Sequence, residues 1–543
     1  MPNPGTRPRG ADPVDTQPPP LPGDGWQSAT EPDLHAGRHL GTDRVATRDR
    51  VSVGNGDSGF DPEPGAPSEP ADRSIPPRMI LAVLAGVLVV LAAVGLLSTP
   101  AGGPLQTNGT LADEVMPEPA LRIDPATPTS LSSTAVESPP TTLNPNAIFV
   151  SAESGDDGAA GTGFDSPLSS LQAALDRVEP GETIYLMDGV YREAADPGNA
   201  HYVARRGGTA AAPVRIEAAP DHRPVIIASD GNGLEIQADY VEVVGLTVRG
   251  EDYATDDNPW GNGILIRNSH HVRIAGNEIS GMPLNGISTV ESSNLIIVDN
   301  EIYENAFWNH SQGSGISLWH SVSNGEPPDA DGYHDRVIGN RVYRNENKVK
   351  SVWRDYQEIT DGNGIIIDQG RETNYDGRVL VANNVVFDNG GRGIMVFETD
   401  RVDVIHNTVY QNGRTAELWG GPTELSAARA KDVRFGNNLV WPRQGSNGIR
   451  ISDAEEVSSA GNLVVDNGSP GQTSVDDVVI TGDPLLTEPS VDESVADFRP
   501  TSASPAAGSA VEFRPRLNWD RNGVDRRLFE PTVGAYAAVP PSG

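Results

Sequence analysis

A glycine that returns at the head of an alternating apolar strand constrains this chain more than any other feature. It stands at Gly233 (Gly-Leu-Glu-Ile), Gly263 (Gly-Ile-Leu-Ile), Gly286 (Gly-Ile-Ser-Thr), Gly315 (Gly-Ile-Ser-Leu), Gly364 (Gly-Ile-Ile-Ile), Gly393 (Gly-Ile-Met-Val) and Gly448 (Gly-Ile-Arg-Ile). A second apolar run follows and ends in asparagine, at Asn277, Asn300, Asn340, Asn384, Asn407, Asn438 and Asn462. A further asparagine often comes five residues later, at Asn305, Asn345, Asn389, Asn412 and Asn467. Period-two alternation sends successive side chains to opposite faces of a strand. A unit of roughly 22–30 residues with three short strands cannot close a core alone, whereas stacked units form parallel sheets with strands ~4.8 Å apart. Asparagine accepts left-handed turn conformations and can bond an identical neighbour in the next coil. No helical crossover interrupts the strands. The pattern predicts an all-β chain, a right-handed parallel β-helix of roughly ten coils spanning about residues 146–538.

The segment Pro167–Glu179 carries Leu168, Leu171, Leu175 and Val178 at helical spacing. It is expected to form a helix that caps the open N-terminal end of the solenoid, which would otherwise expose core and strand edges. Before the repeats the composition changes sharply. Residues 1–78 are rich in Pro, Gly, Asp and Arg and lack apolar periodicity, which predicts a disordered tail. The run from Met79 to Leu97 has no polar side chain and is long enough to approach a hydrocarbon core of ~30 Å. It predicts a single transmembrane helix at 79–98. Arg73 and Arg78 precede it and no Lys or Arg follows before Arg122, so the tail is expected in the cytoplasm and the repeats outside the cell. Residues 99–145, rich in Pro, Thr and Ser, are expected to form an extended linker.

The chain has no cysteine, which removes disulfides and thiolate metal sites from consideration. Its net charge of −35 argues against nucleic acid as a partner, because phosphate binding calls for a basic surface. Three lysines stand against thirty-seven arginines, a bias that suggests a high-GC bacterial source.

Three segments carry a family resemblance: Phe149-Val-Ser-Ala-Glu-Ser-Gly-Asp-Asp-Gly, Ser166-Pro-Leu-Ser-Ser-Leu-Gln-Ala-Ala-Leu and Pro180-Gly-Glu-Thr-Ile-Tyr-Leu-Met-Asp-Gly-Val-Tyr-Arg. Together they resemble the opening of pectate-lyase-like β-helix proteins. The closing segment with Gly482-Asp-Pro-Leu-Leu and Val533-Gly-Ala-Tyr is similar to the end of such chains. The resemblance implies an extracellular β-helix related to polysaccharide lyases. It carries no catalytic motif onto named residues here.

Site candidates come from the repeat register. Gly315 and Gly364 lie 49 positions apart, and the excess falls at about Ser321–Asp331 and Glu346–Thr360. Loops that long in a compact solenoid usually serve a function. Trp260, Trp308, Trp353 and Trp419 precede glycine-headed strands and Trp319 lies outward on one, so they are expected to line one edge as platforms for sugar rings. Outward or strand-end positions hold Arg267, Glu291, Trp319, His320, Asp368, Glu398 and Arg429, with Asp361, Arg392 and His310 nearby.

Elimination from a uronate polymer needs a base and a group that neutralises the substrate carboxylate. Candidates for the base are Lys348, in the inserted loop, and His310, His320 or His334; Arg267, Arg392 or a Ca²⁺ held by Asp361, Asp368 and Glu398 would supply the cation. Glycoside hydrolysis would instead use paired carboxylates such as Asp368 and Glu398, with Asp361 as a further partner. A non-catalytic glycan-binding module at the cell surface is the third expectation. A polysaccharide lyase is the first reading.

Overall fold

The computed structural model describes residues 143–193, 200–251, 258–352 and 358–538. The expected tail, membrane helix and most of the linker, at 1–142, lie outside the described residues. Among the described residues no helix is long and apolar enough to cross a membrane.

The short strands assemble into three parallel sheets of eleven, nine and eleven strands, visited in turn by each coil. Neighbouring strands in a sheet belong to successive coils. The nine-stranded sheet holds the glycine-headed strands, among them Ile264–Arg267, Ile287–Val290, Ile316–Trp319, Ile365–Asp368 and Ile394–Phe397. Their first residues stand in register from coil to coil and are wholly buried. This produces the column of stacked isoleucines that the Gly-Ile pattern implies.

Close approach explains the glycines. A Cβ on Gly364 would lie 2.3 Å from Val386 Cγ1 of the third sheet and 2.8 Å from the Gly393 carbonyl. Gly263, Gly286, Gly315 and Gly393 meet their own coils in the same way. The column is broken once. Leu425 pairs with Ile394, so Glu424 occupies the glycine position of its coil.

Buried asparagines tie the coils together. Side-chain amides run from Asn277 through Asn300, Asn340, Asn384, Asn407 and Asn438 to Asn462 in bonds of 2.8–3.0 Å, and the row ends on Asp477 at 2.8 Å. A second row joins Asn305, Asn345, Asn389 and Asn412 and ends on Glu424 Oε2 at 2.6 Å. Burial pushes the Glu424 carboxyl up to about 8, against the two hydrogen bonds from Asn412. A third row, Asn232, Asn262 and Asn285, immediately precedes the glycines. Such ladders satisfy polar groups that a dry interior would otherwise strand.

The N-terminal helix is shorter than its sequence spacing predicts. It spans Leu171–Leu175, capped by the Ser170 hydroxyl accepting from Ala173 N at 3.1 Å. Leu168 forms a parallel bridge with Val150 and so belongs to extended structure, while Gly181 takes φ +86° in the following turn. Leu171, Ala174 and Leu175 nevertheless join the main core.

Candidate active site on the glycine-headed sheet

Strand register converts sequence positions into rows. The last strand residues, Arg267, Val290, Trp319, Asp368, Phe397, Ala428 and Ser452, align as one outward row. The next residue of each coil, Asn268, Glu291, His320, Gln369, Glu398, Arg429 and Asp453, has φ between +46° and +53°. This left-handed corner costs a non-glycine residue some strain. Its repetition in seven coils makes it part of the architecture, the bend from one sheet to the next. Trp319, His320, Asp368 and Glu398 therefore fall on three consecutive coils at one corner.

Asp368 is the most perturbed acid of this cluster. Its Oδ1 is fully shielded and has no hydrogen-bond partner. Burial, then the charges of Asp361, Glu398 and Glu372, raise its carboxyl well above the ordinary carboxylate range. His320 moves the opposite way. Burial lowers its imidazole, and Glu372, whose Oε2 lies 3.3 Å from Nε2, partly offsets that effect. The environment thus pushes Asp368 toward its neutral acid and His320 toward its neutral base. The Trp319 indole stacks on the imidazole with ring centres 3.9 Å apart, and its Nε1 donates to Gln369 Oε1 at 2.6 Å.

The surrounding groups are tied down. Glu398 pairs with Arg429. Asp361 accepts from Thr360 Oγ1 at 2.9 Å and Asn363 Nδ2 at 2.8 Å, and burial raises its carboxyl. Arg392, expected to meet substrate, is instead buried at 4% exposure. Its guanidinium donates to the Thr360 carbonyl at 3.0 Å and the Trp419 carbonyl at 2.6 Å, so it braces two of the loops that lead into the sheet. Burial brings it down to about 10.

Residues 148–423 match the family model described as "Pel9A-like, right handed beta helix region". The chain belongs to this family. The right-handed β-helix expected from the repeats is therefore its fold. The solved structures similar to this Pel9A-like chain include pectate lyase Pel9A, at 17% identity and TM-score 0.46, covering 72% of this chain and 96% of that one. A rhamnogalacturonan lyase is similar at 14% identity and TM-score 0.35, over 58% of this chain and 87% of the other. A GH136 lacto-N-biosidase from Eubacterium ramulus is similar at 15% and 0.39, over 62% and 68%. Among curated proteins none matches significantly.

The remaining sequence candidates of this Pel9A-like β-helix lie apart from the corner. Trp260 and Trp308 are half-buried in loops that lead into glycine-headed strands, Trp419 is half-buried before the Glu424 strand of the same sheet, and Trp353 lies outside the described residues. These loops are joined to one another: Trp419 N donates to the Ile359 carbonyl at 2.8 Å and Lys348 N to the Phe307 carbonyl at 3.0 Å. Lys348 Nζ sits 3.5 Å over the Phe307 ring, and desolvation lowers its pKa. His310 Nδ1 is 2.6 Å from the Lys350 carbonyl. Arg267 pairs with Glu235 at 3.2 Å in the same outward row but two coils from Trp319. Among the described residues no group of three or more His, Asp or Glu side chains is arranged to hold a metal ion.

Glu372 and Gln369 were not singled out by the repeat. The signal for them is the distance from the corner to the next strand, four positions from Glu398 to Val402 but ten from Gln369 to Val379.

Proposed function

We propose that this protein cleaves a polysaccharide laid across the corner formed by Trp319, His320 and Asp368, and that the reaction is β-elimination at a uronate. The supporting observation is the opposed perturbation of two groups on adjacent coils. His320 N donates to the Asp368 carbonyl at 3.1 Å, so base and acid hang from neighbouring strands. Neutral His320 would take the proton from the carbon next to the substrate carboxylate. Protonated Asp368 would donate a hydrogen bond to that carboxylate as negative charge develops on it. The electron pair of the broken C–H bond becomes the new carbon–carbon double bond, the glycosidic C–O bond breaks, and the departing oxygen takes up a proton from water while His320 returns its own to solvent. The face of Trp319 suits the apolar face of a sugar ring. Membership of the Pel9A-like family supports a glycan as the partner. The net charge of −35 opposes a polyanion in general, which makes the proton on Asp368 important locally.

Hydrolysis is the second reading, favoured by the acidic surroundings. Asp368 would act as the protonated acid and Glu398, on the next coil, as the carboxylate partner. The apolar run 79–97 supports a single-pass anchor that presents this corner outside the cell.

The test incubates the full chain with a panel of uronate-containing and neutral glycans, following near-ultraviolet absorbance and reducing ends together. The proposal expects both signals on a uronate polymer. Reducing ends without absorbance would assign hydrolysis. Binding with neither signal would make this a glycan-holding module and end the enzymatic reading.

A further inference from the structure

We propose that Glu372 is the positioning residue for His320, holding the imidazole in a fixed orientation through a turn built for that purpose; the inference rests on the reading of His320 as the base. Glu372 Oε2 lies 3.3 Å from His320 Nε2, an ion-pair contact in which the shielded nitrogen makes no hydrogen bond. The other carboxylate oxygen, Oε1, lies 3.4 Å from Gln369 Nε2, and Gln369 Oε1 in turn accepts from Trp319 Nε1 at 2.6 Å. Trp319 closes the circuit by stacking on His320. His320, Trp319, Gln369 and Glu372, from two coils, thus form one closed circuit of contacts.

The turn that carries Glu372 is anchored at both ends. Gly370 N donates to Thr399 Oγ1 at 3.0 Å, and Arg371 N donates to the Glu398 carbonyl at 2.8 Å. Arg371 Nε pairs with Asp400 at 2.7 Å. Glu372 N closes the turn onto the Gln369 carbonyl at 3.1 Å. At the far end Tyr375 is buried, and its hydroxyl donates to the buried Asp335 at 2.6 Å. A carboxylate on such a turn is already ordered, so little side-chain entropy is lost when it bonds a ring. Corresponding corners lack the device: Glu291 and Glu398 are followed four positions on by the next apolar run, Leu295 and Val402.

The charged groups facing His320 are Glu372, from the turn, and Glu291, from the preceding coil; Asp368 lies on the strand beside it. A carboxylate held beside one imidazole nitrogen favours the protonated ring that forms during proton abstraction.

The experiment uses the full chain labelled at histidine ring carbons, with His320 assigned by its loss in His320→Gln. In Glu372→Gln, which keeps the shape and removes the charge, the His320 titration should move to lower pH. The acidic limb of the pH–rate profile should move with it. kcat should fall about 10–100-fold, as for loss of an orienting carboxylate, with little change in KM. Glu372→Asp should recover part of both. An unmoved His320 titration and an unmoved acidic limb in Glu372→Gln would overturn the inference. The reading of His320 as base fails separately, if His320→Gln retains wild-type turnover while Glu372→Gln still shifts the ring titration.

Discussion

Replacing Asn407 by alanine tests the physical basis of the stacking. Asn407 is wholly buried. Its Oδ1 accepts from both Asn384 N and Asn384 Nδ2 at 2.9 Å, and its Nδ2 donates to the Val381 carbonyl at 2.9 Å and to Asn438 Oδ1 at 3.0 Å. Truncation leaves the Asn384 backbone N–H without its acceptor and the Val381 carbonyl without this donor, while Asn384 Nδ2 keeps the Val337 carbonyl. Each buried group left unsatisfied costs about 1–3 kcal/mol, so the pair predicts a loss of about 2–6 kcal/mol. That is a large share of the roughly 5–15 kcal/mol typical of a folded domain. Asn467 stands five residues beyond its own ladder position but is only half-buried and bonds Pro442 outside any row. Asn467→Ala should therefore cost about 1 kcal/mol or less. Denaturant unfolding of the two variants gives the comparison, and amide exchange locates the damage. In a solenoid each coil meets only its neighbours, so exchange should rise around Val381–Asn384 and Asn438 and stay unchanged near Ile184–Leu186. Equal losses in the two variants, or a uniform rise in exchange, would refute the ladder argument.

Two further outcomes follow from the glycine column. Gly364→Val should cost about 3 kcal/mol, because its branches would enter space held by Val386 and the Gly393 carbonyl; thermal unfolding reads the loss. At the interrupted position, burial gives Glu424 a folded pKa of about 8 against an ordinary 4.5. The folded state therefore holds that proton more tightly than the unfolded chain, and stability should fall as pH rises from about 4.5 through about 8. Glu424→Gln should reduce the fall of the denaturant midpoint across that window, to which the raised carboxyls of Asp299 and Asp335 also contribute, and an unchanged slope would show that Glu424 is not a titrating group.

Much of the solenoid was legible because its interior enforces repetition. A Cβ clash repeated in each coil demands glycine, and a buried amide stacked on its copy demands asparagine, so both mark the sequence at nearly regular spacing. Period two also marks Arg267, Trp319 and Asp368 as outward or strand-end positions. The third amide row shows in sequence as Asn262-Gly263 and Asn285-Gly286, where the adjacent glycine carries the stronger periodic signal. Glu424 escaped because it breaks the pattern, standing where Gly would be expected and using its carboxylate to end an asparagine row. Arg392 reads as a surface cation because register alone does not say that the Thr360 and Trp419 carbonyls close over it. Glu372 sits in a turn without periodicity, and its place beside His320 depends on anchors to Thr399, Glu398, Asp400 and Asp335 that lie far away in sequence.

The central claim is that the stacked register makes one acid–base pair from His320 and Asp368. Its most direct test is the pH dependence of glycan cleavage by the full chain, compared with His320→Gln and Asp368→Asn. The account predicts a bell-shaped wild-type profile. His320→Gln should remove the acidic limb and Asp368→Asn the basic limb, with turnover down at least about 100-fold in each. Two variants that cleave at the wild-type rate with both limbs intact would contradict it.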